Sequence, residues 1–111
     1  MHEMALSRSI ADIARRRAEG RAVRAVEIDV GELRQVVPDT LRRCWTLLVR
    51  GSDLDGAALR VNRIPAVLGC RACGARTTPT DLPILVCGAC AAPDVEVVSG
   101  EEFLVRALEV D

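Results

Sequence analysis

Aromatic residues are nearly missing from this chain: its 111 residues include one Trp, one Phe and no Tyr. Lysine is absent too, so the basic residues are all arginines, and 15 of them are balanced by 16 acidic residues to a formal net charge of −1. The chain therefore has almost no aromatic side chains on which nucleic-acid bases could stack, and no strongly basic surface that could bind phosphates. We therefore expect no nucleic-acid partner.

Long apolar runs are also missing. Half of the residues are apolar, yet no stretch approaches the roughly 18 continuous apolar residues of a membrane span, so we expect no membrane association. No apolar segment of the secretory type lies near the amino terminus, and there is no internal repeat or low-complexity segment. We expect a small cytoplasmic protein in a reducing compartment, with a core of Val, Leu, Ile and Ala.

Helical spacing of apolar residues predicts two helices. The first runs from Glu3 to about Glu19, with arginines in its last turn and Gly20 after it, as the helix dipole and a left-handed end favour. The second begins at Pro38 and ends at Arg50-Gly51. The apolar stripes are Leu6, Ile10, Ile13 and Ala14 in the first helix, and Leu41, Cys44, Trp45 and Leu48 in the second.

Three further segments read as strands. Val26–Val30 alternates apolar residues with Glu27 and Asp29, which predicts one solvent-facing side, and Leu59–Ile64 and Phe103–Val110 are β-like. The predicted fold is α/β (α+β): a small three-stranded sheet with two helices, formed by residues 1–66 and 98–111, and an inserted zinc-ribbon module at 67–97. The strands that flank the module would then be neighbours in the sheet.

Four of the five cysteines form two CxxC pairs, Cys70 with Cys73 and Cys87 with Cys90, separated by the 13 residues 74–86. Two CxxC turns that face each other offer four thiolates to one tetrahedral ion, which is the arrangement of a closed structural zinc site. Gly74 and Gly88 are expected to supply positive φ angles where the backbone curls around the sulfurs.

Other uses of these cysteines fit less well. Disulfides would not persist in a reducing compartment, and a thioredoxin-like CxxC would occur once, at a strand-to-helix junction. Iron held by four sulfurs remains open from the spacing. A module of about 30 residues is too small to bury a core of its own, so the metal should contribute to its folding. Cys44 lies on a helix stripe and reads as a core residue.

The single histidine, His2, follows the initiator methionine directly. Because His is too large for removal of the initiator, we expect Met1 to keep its free amine. That amine, the amide nitrogen of His2 and the imidazole Nδ1 would close a five-membered and a six-membered chelate ring, and Glu3 could add its amide or its carboxylate. Nitrogen-rich square-planar donation favours Ni(II) or Cu(II). A frayed, solvated terminus is the competing interpretation.

Taken together, these features resemble the HypA/HybF family of hydrogenase maturation proteins from end to end. The strongest matches are Met1-His2-Glu3 followed at once by a helix, and the two cysteine pairs. Weaker matches are Val30-Gly31-Glu32-Leu33, Pro38 with Leu41, Gly100-Glu101-Glu102-Phe103-Leu104 and Glu109-Val110-Asp111. The chain differs from many members in its lack of Tyr and in the Gly-Ala between Cys87 and Cys90.

The resemblance implies a nickel metallochaperone and not an enzyme. It implies Ni(II) as cargo on His2, with the Met1 amine and the backbone nitrogens of His2 and Glu3 as supporting donors, and structural Zn(II) on the four cysteines. The implied partners are a maturation GTPase, the large subunit of a nickel–iron hydrogenase and, in some members, urease maturation proteins. The competing functions are a zinc-ribbon adaptor that binds protein or nucleic acid without nickel and, third, a hydrolase or oxidoreductase that uses the cysteines.

Overall fold

The described part of the chain contains two α-helices, one 3-10 turn and six strands. The computed structural model describes residues 2–111. In chain order they are α1 (Glu3–Ala18), β1 (Val23–Gly31), a 3-10 turn (Glu32–Arg34), α2 (Pro38–Val49), β2 (Ala58–Ile64), β3 (Val67–Cys70), β4 (Arg76–Thr77), β5 (Val95–Ser99) and β6 (Phe103–Val110). Two helices with a three-stranded sheet confirm the predicted α+β class. Within the described part of the chain, neither helix is long and apolar enough to span a membrane.

Helix α1 buries one stripe and exposes its arginines. The buried residues recur every three or four positions, as one helix face requires: Glu3, Ser7, Ile10, Ala11, Ala14 and Ala18. The C-cap residue Glu19 and the following Gly20 both adopt positive φ angles, 52° and 82°. The predicted left-handed helix end is therefore confirmed.

Helix α2 begins at Pro38 as predicted and packs against α1. Its buried residues are Leu41, Trp45 and Val49. The Trp45 indole N–H donates to the carbonyl of Ala57 at 2.8 Å, which satisfies the polar end of a side chain that is 1% exposed. Cys44 lies at the edge of the stripe and is only half-buried, so it contributes less to the core than its spacing predicted.

The main sheet has the strand order β2-β1-β6. The expectation that β2 and β6 are neighbours is wrong, because β1 lies between them. The physical reason is the burial of β1 on both faces: Val26 and Ile28 are 0% exposed on one face, and Ala25 is 2% exposed on the other. A strand with two buried faces takes the centre of a sheet, where no edge meets solvent.

A carboxylate from β1 joins all three strands. Asp29, 4% exposed, accepts three guanidinium hydrogen bonds from Arg106 on β6 at 2.6–3.0 Å and one amide hydrogen bond from Asn62 on β2 at 3.1 Å. The Arg106 hydrogen bonds, and then that of Asn62, hold the pKa of Asp29 below its ordinary value of 3.8. The predicted solvent-facing side of β1 is therefore wrong at Asp29, since Arg106 and Asn62 enclose it.

A second sheet, whose strands are antiparallel, has the order β4-β3-β5 and carries the cysteine region. Leu68 pairs with Thr77 on one side, and Cys70 pairs with Val95 on the other. These strands were not predicted, because segments of two to five residues are too short to show an alternation. The pairing places the first cysteine at the end of an ordered strand.

The chain divides into two compact units. One contains the described residues up to Asp29 together with Val36–Asn62 and Phe103–Asp111, and the other contains Val30–Gln35 and Arg63–Glu102. Within the second unit, the Gly31 N–H donates to the carbonyl of Glu102 at 2.7 Å and the Leu33 N–H to that of Gly100 at 2.8 Å. A Cβ atom at Gly31 would overlap the Gly100 carbonyl, so this close backbone approach requires glycine.

Candidate metal sites

The first cysteine pair lies in a tight turn at the end of β3. The Cys70 N–H donates to the carbonyl of Ala75, and the Gly74 N–H donates to the carbonyl of Cys70, each at 2.9 Å. The Cys73 N–H is 3.3 Å from Cys70 Sγ and donates to it. The turn therefore brings the backbone N–H of Cys73 within hydrogen-bonding distance of the Cys70 sulfur.

The second cysteine pair repeats this construction at the same spacing. The Cys87 N–H donates to the carbonyl of Ala92 at 2.9 Å, and the Ala91 N–H donates to the carbonyl of Cys87 at 2.8 Å. The Cys90 N–H donates to Cys87 Sγ at 3.4 Å. The two turns are thus two copies of one motif.

The left-handed residue in each turn is the fourth after the first cysteine. Gly74 has a φ of 78°, as predicted, whereas in the second turn the equivalent residue is Ala91, with a φ of 64°. The expectation of a positive φ at Gly88 is therefore wrong. Gly88 serves close packing instead: its N–H donates to Thr77 Oγ1 at 2.9 Å, and a Cβ there would lie 3.0 Å from the Thr77 Cβ.

The four sulfurs converge. The Sγ atoms of Cys70, Cys73, Cys87 and Cys90 all lie within 4.8 Å of one another. Cys70 Sγ is 3.6 Å from Cys90 Sγ, and Cys73 Sγ is 3.6 Å from Cys87 Sγ. Four sulfurs at about 2.3 Å from a central zinc ion would be about 3.8 Å apart. The cluster therefore has the dimensions of a single tetrahedral ion with no open coordination position.

The first cysteine of each turn is the more acidic one. Backbone N–H donation, led by Cys90 and Ala89, lowers the pKa of Cys87 to about 6, and the Cys73 N–H is the main cause that lowers the pKa of Cys70. Such donors stabilise the thiolate, which is the form that binds metal.

The neighbouring sulfurs raise the pKa of the second cysteine of each turn, Cys73 and Cys90. The Ala92 N–H lowers the pKa of Cys90, but the sulfurs of Cys70, Cys73 and Cys87 outweigh it and raise that pKa to about 12. The pKa of Cys73 is also raised: the Ala75 N–H lowers it, and the Cys87 and Cys70 sulfurs raise it by more. A bound dication removes this repulsion, so the donor set fits structural Zn(II).

Arg71, inside the first turn, connects the turn to the second unit's sheet. Its guanidinium lies 3.0 Å from Asp94 Oδ1, 3.0 Å from the carbonyl of Val95 and 3.9 Å from Glu96 Oε2. These contacts are on the surface and individually weak. Together they brace the turn against β5.

At the amino terminus, Met1 lies outside the described residues. His2 is exposed and serves as the N-cap of α1 with a left-handed backbone, φ 53° and ψ 28°. The hydrogen-bond ladder of α1 begins with the Leu6 N–H, which donates to the carbonyl of His2 at 3.0 Å. The His2 imidazole is thus on the surface, directly before an ordered helix, where a metal can reach it.

Glu3, in contrast, is only 7% exposed. Its Oε2 accepts the N–H of Val37, the residue before α2, at 3.3 Å. Ser7, one turn further along α1, is 0% exposed, and its hydroxyl has no hydrogen-bond partner among residues 2–111. The helical period that predicts Ile10 and Ala14 as buried, extended back towards the amino terminus, reaches both residues and could have identified them.

Three consecutive arginines, Arg15–Arg17, lie in the last turn of α1. Two of them make hydrogen bonds to other parts of the fold. Arg15 Nε donates to both carboxylate oxygens of Asp53 at 3.0 and 3.1 Å. Arg17 Nη1 donates to the carbonyl of Val105 in β6 at 2.6 Å. Both side chains therefore contribute contacts within the fold.

Comparison with known proteins decides the family. The model of a family described as "Hydrogenase/urease nickel incorporation, metallochaperone, hypA" matches residues 1–110. The chain belongs to the HypA family. This confirms the resemblance drawn from the terminal Met-His-Glu and the paired cysteines, and it makes the chain a member of a family of nickel-incorporation metallochaperones involved in hydrogenase maturation.

Curated relatives match the whole length of this chain. A hydrogenase maturation factor HypA from Geobacter metallireducens is 40% identical over 111 residues, with 100% of both chains covered. One from Nostoc sp. is 32% identical over 111 residues, covering 100% of this chain and 96% of the relative.

Two solved structures share the fold. The solution structure of the Ni metallochaperone HypA from Helicobacter pylori has a TM-score of 0.68 at 21% identity, covering 99% of this chain and 97% of that one. A second HypA solution structure has a TM-score of 0.59 at 19% identity, with 97% and 91% covered. At such identities the likeness shows the fold alone.

Proposed function

We propose that this chain is a nickel metallochaperone that binds Ni(II) at its amino terminus and delivers it to the large subunit of a nickel–iron hydrogenase during maturation. The observation that carries the proposal is the match to the nickel-incorporation family along residues 1–110, in a chain whose one histidine is the exposed His2. The protein acts as a carrier and performs no catalysis.

The nickel ligands in this proposal are Met1, His2 and Glu3. The Met1 amine, the His2 amide nitrogen and the imidazole Nδ1 form two fused, unstrained chelate rings, and the backbone nitrogen of Glu3 supplies a further donor. Nitrogen donors of this kind select Ni(II) or Cu(II) over Mg²⁺ and Ca²⁺. Because the His2 side chain is exposed, an acceptor protein can replace the donors one at a time, which is how a carrier releases a tightly held ion.

The zinc ligands in this proposal are Cys70, Cys73, Cys87 and Cys90. A closed tetrathiolate has no position for substrate, so its Zn(II) stabilises the fold and takes no part in transfer. We assign zinc binding to a module of residues 67–97, which lies inside the compact unit of Val30–Gln35 and Arg63–Glu102. Residues 1–66 and 98–111 form the nickel-binding domain.

The partners follow from the family's role. Nickel insertion in hydrogenase maturation requires a client and a means to control release, so we propose a maturation GTPase and the hydrogenase large subunit as partners in the cytoplasm. The family description names urease as well, and urease maturation proteins are therefore a second set of partners.

A calorimetric nickel titration tests the amino-terminal site. The wild-type protein, zinc-loaded and untagged, is compared with a form that carries Gly-Ser before Met1 and with His2→Ala. The extension converts the terminal amine into an amide and leaves every residue of the chain in place. We expect one-to-one binding by the wild type and a loss of at least about tenfold in affinity in both variants, because each removes one donor of the chelate.

Two other outcomes would contradict the proposal. If the extended form and His2→Ala bind nickel as the wild type does, the ion is held elsewhere. If none of the three proteins binds nickel, a zinc-ribbon adaptor that recognises protein or nucleic acid becomes the better account.

A further inference from the structure

A partly buried hydrogen bond joins Glu3, near the amino terminus, to the start of α2. Glu3 is the first residue of α1, and Val37 is the N-cap of α2. The Val37 N–H donates to Glu3 Oε2 at 3.3 Å. Both residues belong to the same compact unit, and the helices that they begin pack against each other.

The start of α2 has an unusual need for this acceptor. Val37 makes no side-chain cap, and the next residue, Pro38, has no N–H to offer. The Glu3 carboxylate therefore accepts the N–H of the N-cap residue itself, the role that the Glu or Gln of a capping box has within one helix, and its negative charge suits the positive end of the helix dipole. The Val37 side chain is 53% exposed, so the backbone N–H is what connects this residue to Glu3.

We propose that the Glu3 carboxylate is a positioning group for the nickel chelate, and that it acts through its hydrogen bond with the Val37 N–H. The inference rests on the proposed function and assigns the first turn of α2 to the nickel site. The carboxylate is not itself a nickel ligand.

The geometry gives the physical reason. His2 is exposed and left-handed, whereas the side chain of the adjacent Glu3 is buried and hydrogen-bonded. Fixing the Glu3 side chain fixes the peptide that joins His2 to Glu3, and with it the direction in which the imidazole leaves the helix. A chelate arranged before the metal arrives loses less conformational entropy on binding.

A matched pair of variants on α2 separates positioning from ligation without touching Glu3. Val37→Pro removes the N–H donor, and the φ of −89° at this position needs a change of only about 10–25° to reach the range of proline. Val37→Ala keeps the donor and loses the same exposed side chain. If Glu3 is a positioning group, Val37→Pro weakens nickel binding about five- to tenfold, and Val37→Ala changes it less than about twofold.

A second pair on α1 gives an independent reading. Glu3→Ala removes the acceptor and should weaken binding as much as Val37→Pro does. Glu3→Gln keeps an amide oxygen that can accept the Val37 N–H and should recover most of that loss. The ligand-field absorption bands of bound Ni(II) should be the same in every variant, because the donor set is unchanged.

Combining Glu3→Ala with Val37→Pro tests whether the two residues act as one unit. The double variant should bind as weakly as Glu3→Ala alone, since each change breaks the same bond. Circular dichroism and thermal unfolding of each variant establish that the helices remain folded. If Val37→Pro does not fold, the comparison of Glu3→Ala with Glu3→Gln decides.

The outcomes that overturn the inference are distinct from those that overturn the proposed function. If Glu3→Gln and Glu3→Ala both shift the ligand-field bands while Val37→Pro binds like Val37→Ala, the carboxylate is a ligand and the positioning role is wrong. If the wild type binds nickel and no variant at Glu3 or Val37 weakens it, the positioning role is also wrong, but the metallochaperone stands. If the wild type binds no nickel, both are wrong.

Discussion

The Asp29 carboxylate, 4% exposed between Arg106 and Asn62, makes stability depend on pH through a single residue. Asp29→Asn should lower the free energy of unfolding at pH 7 by about 1–3 kcal/mol, because charge-assisted hydrogen bonds become neutral ones. The pKa of Asp29 is lower in the folded state than its ordinary value of 3.8. Its contribution is therefore complete above that value and is lost as the pH falls through the folded-state pKa.

Denaturant unfolding of both proteins between pH 7 and pH 3 measures this effect. The difference between wild type and variant should be constant down to about pH 5 and shrink below pH 4. Asp12→Asn is the matched control, since the Asp12 side chain is 69% exposed and lies 3.9 Å from Arg15, and it should change stability by less than about 0.5 kcal/mol. A difference at Asp29 that grows towards acid pH would contradict the assignment.

The sequence allowed some of the important residues to be predicted and not others. Cys70, Cys73, Cys87 and Cys90 were found from spacing alone, because a CxxC turn is a local structure with local hydrogen bonds. Asp29 and Glu3 were not recognised as buried, because each is enclosed by residues more than 30 positions away. The partner that makes a buried carboxylate tolerable is a property of the tertiary fold and not of its neighbours in the chain.

The cysteine turns are the elements whose integrity is easiest to test. Cys73→Ala should release zinc and expose the β4-β3-β5 sheet to hydrogen exchange, because this short sheet has little apolar area and the metal holds its turns together. Cys44→Ala is the matched control: it lies on α2, outside the cluster, and should keep one zinc ion per chain. Zinc analysis and amide exchange measure both.

Retention of stoichiometric zinc and of exchange protection in β3–β5 by Cys73→Ala would refute the four-thiolate site.

The positions of the helices and of the long strands could be predicted from the sequence, but the order of the strands in the sheet could not. The period of α1 and the proline that begins α2 placed both helices within one or two residues, and Phe103–Val110 was predicted with the bounds that β6 has. The order β2-β1-β6 was missed because adjacency in sequence suggested that the strands on either side of the module would pair. The burial of both faces of β1 only becomes evident once Asp29 has its partners.

On the scale of the whole molecule, two compact units with different sources of stability should respond differently to zinc removal. The unit that contains α1 and α2 buries large apolar side chains, among them Ile10, Ile28, Leu41 and Trp45. Among the described residues of the other unit, the buried apolar residues other than cysteine are only three, Val30, Ala66 and Leu68. An excess of a strong chelator should therefore abolish exchange protection in β3–β5 and leave that of α1 and α2 within about threefold of its initial value.

Hydrogen exchange with mass-spectrometric detection, before chelation, after it and after zinc is restored, resolves the two units within one sample. Recovery of the β3–β5 protection on zinc addition excludes irreversible damage as the cause of its loss. If α1 and α2 lose protection together with β3–β5, the chain unfolds as one cooperative body and the metal stabilises all of it. If protection persists in β3–β5 as well as in α1 and α2, the dependence of the second unit on zinc is wrong. We do not expect this outcome, because strands of two to five residues are too short to hold the unit together by backbone pairing alone.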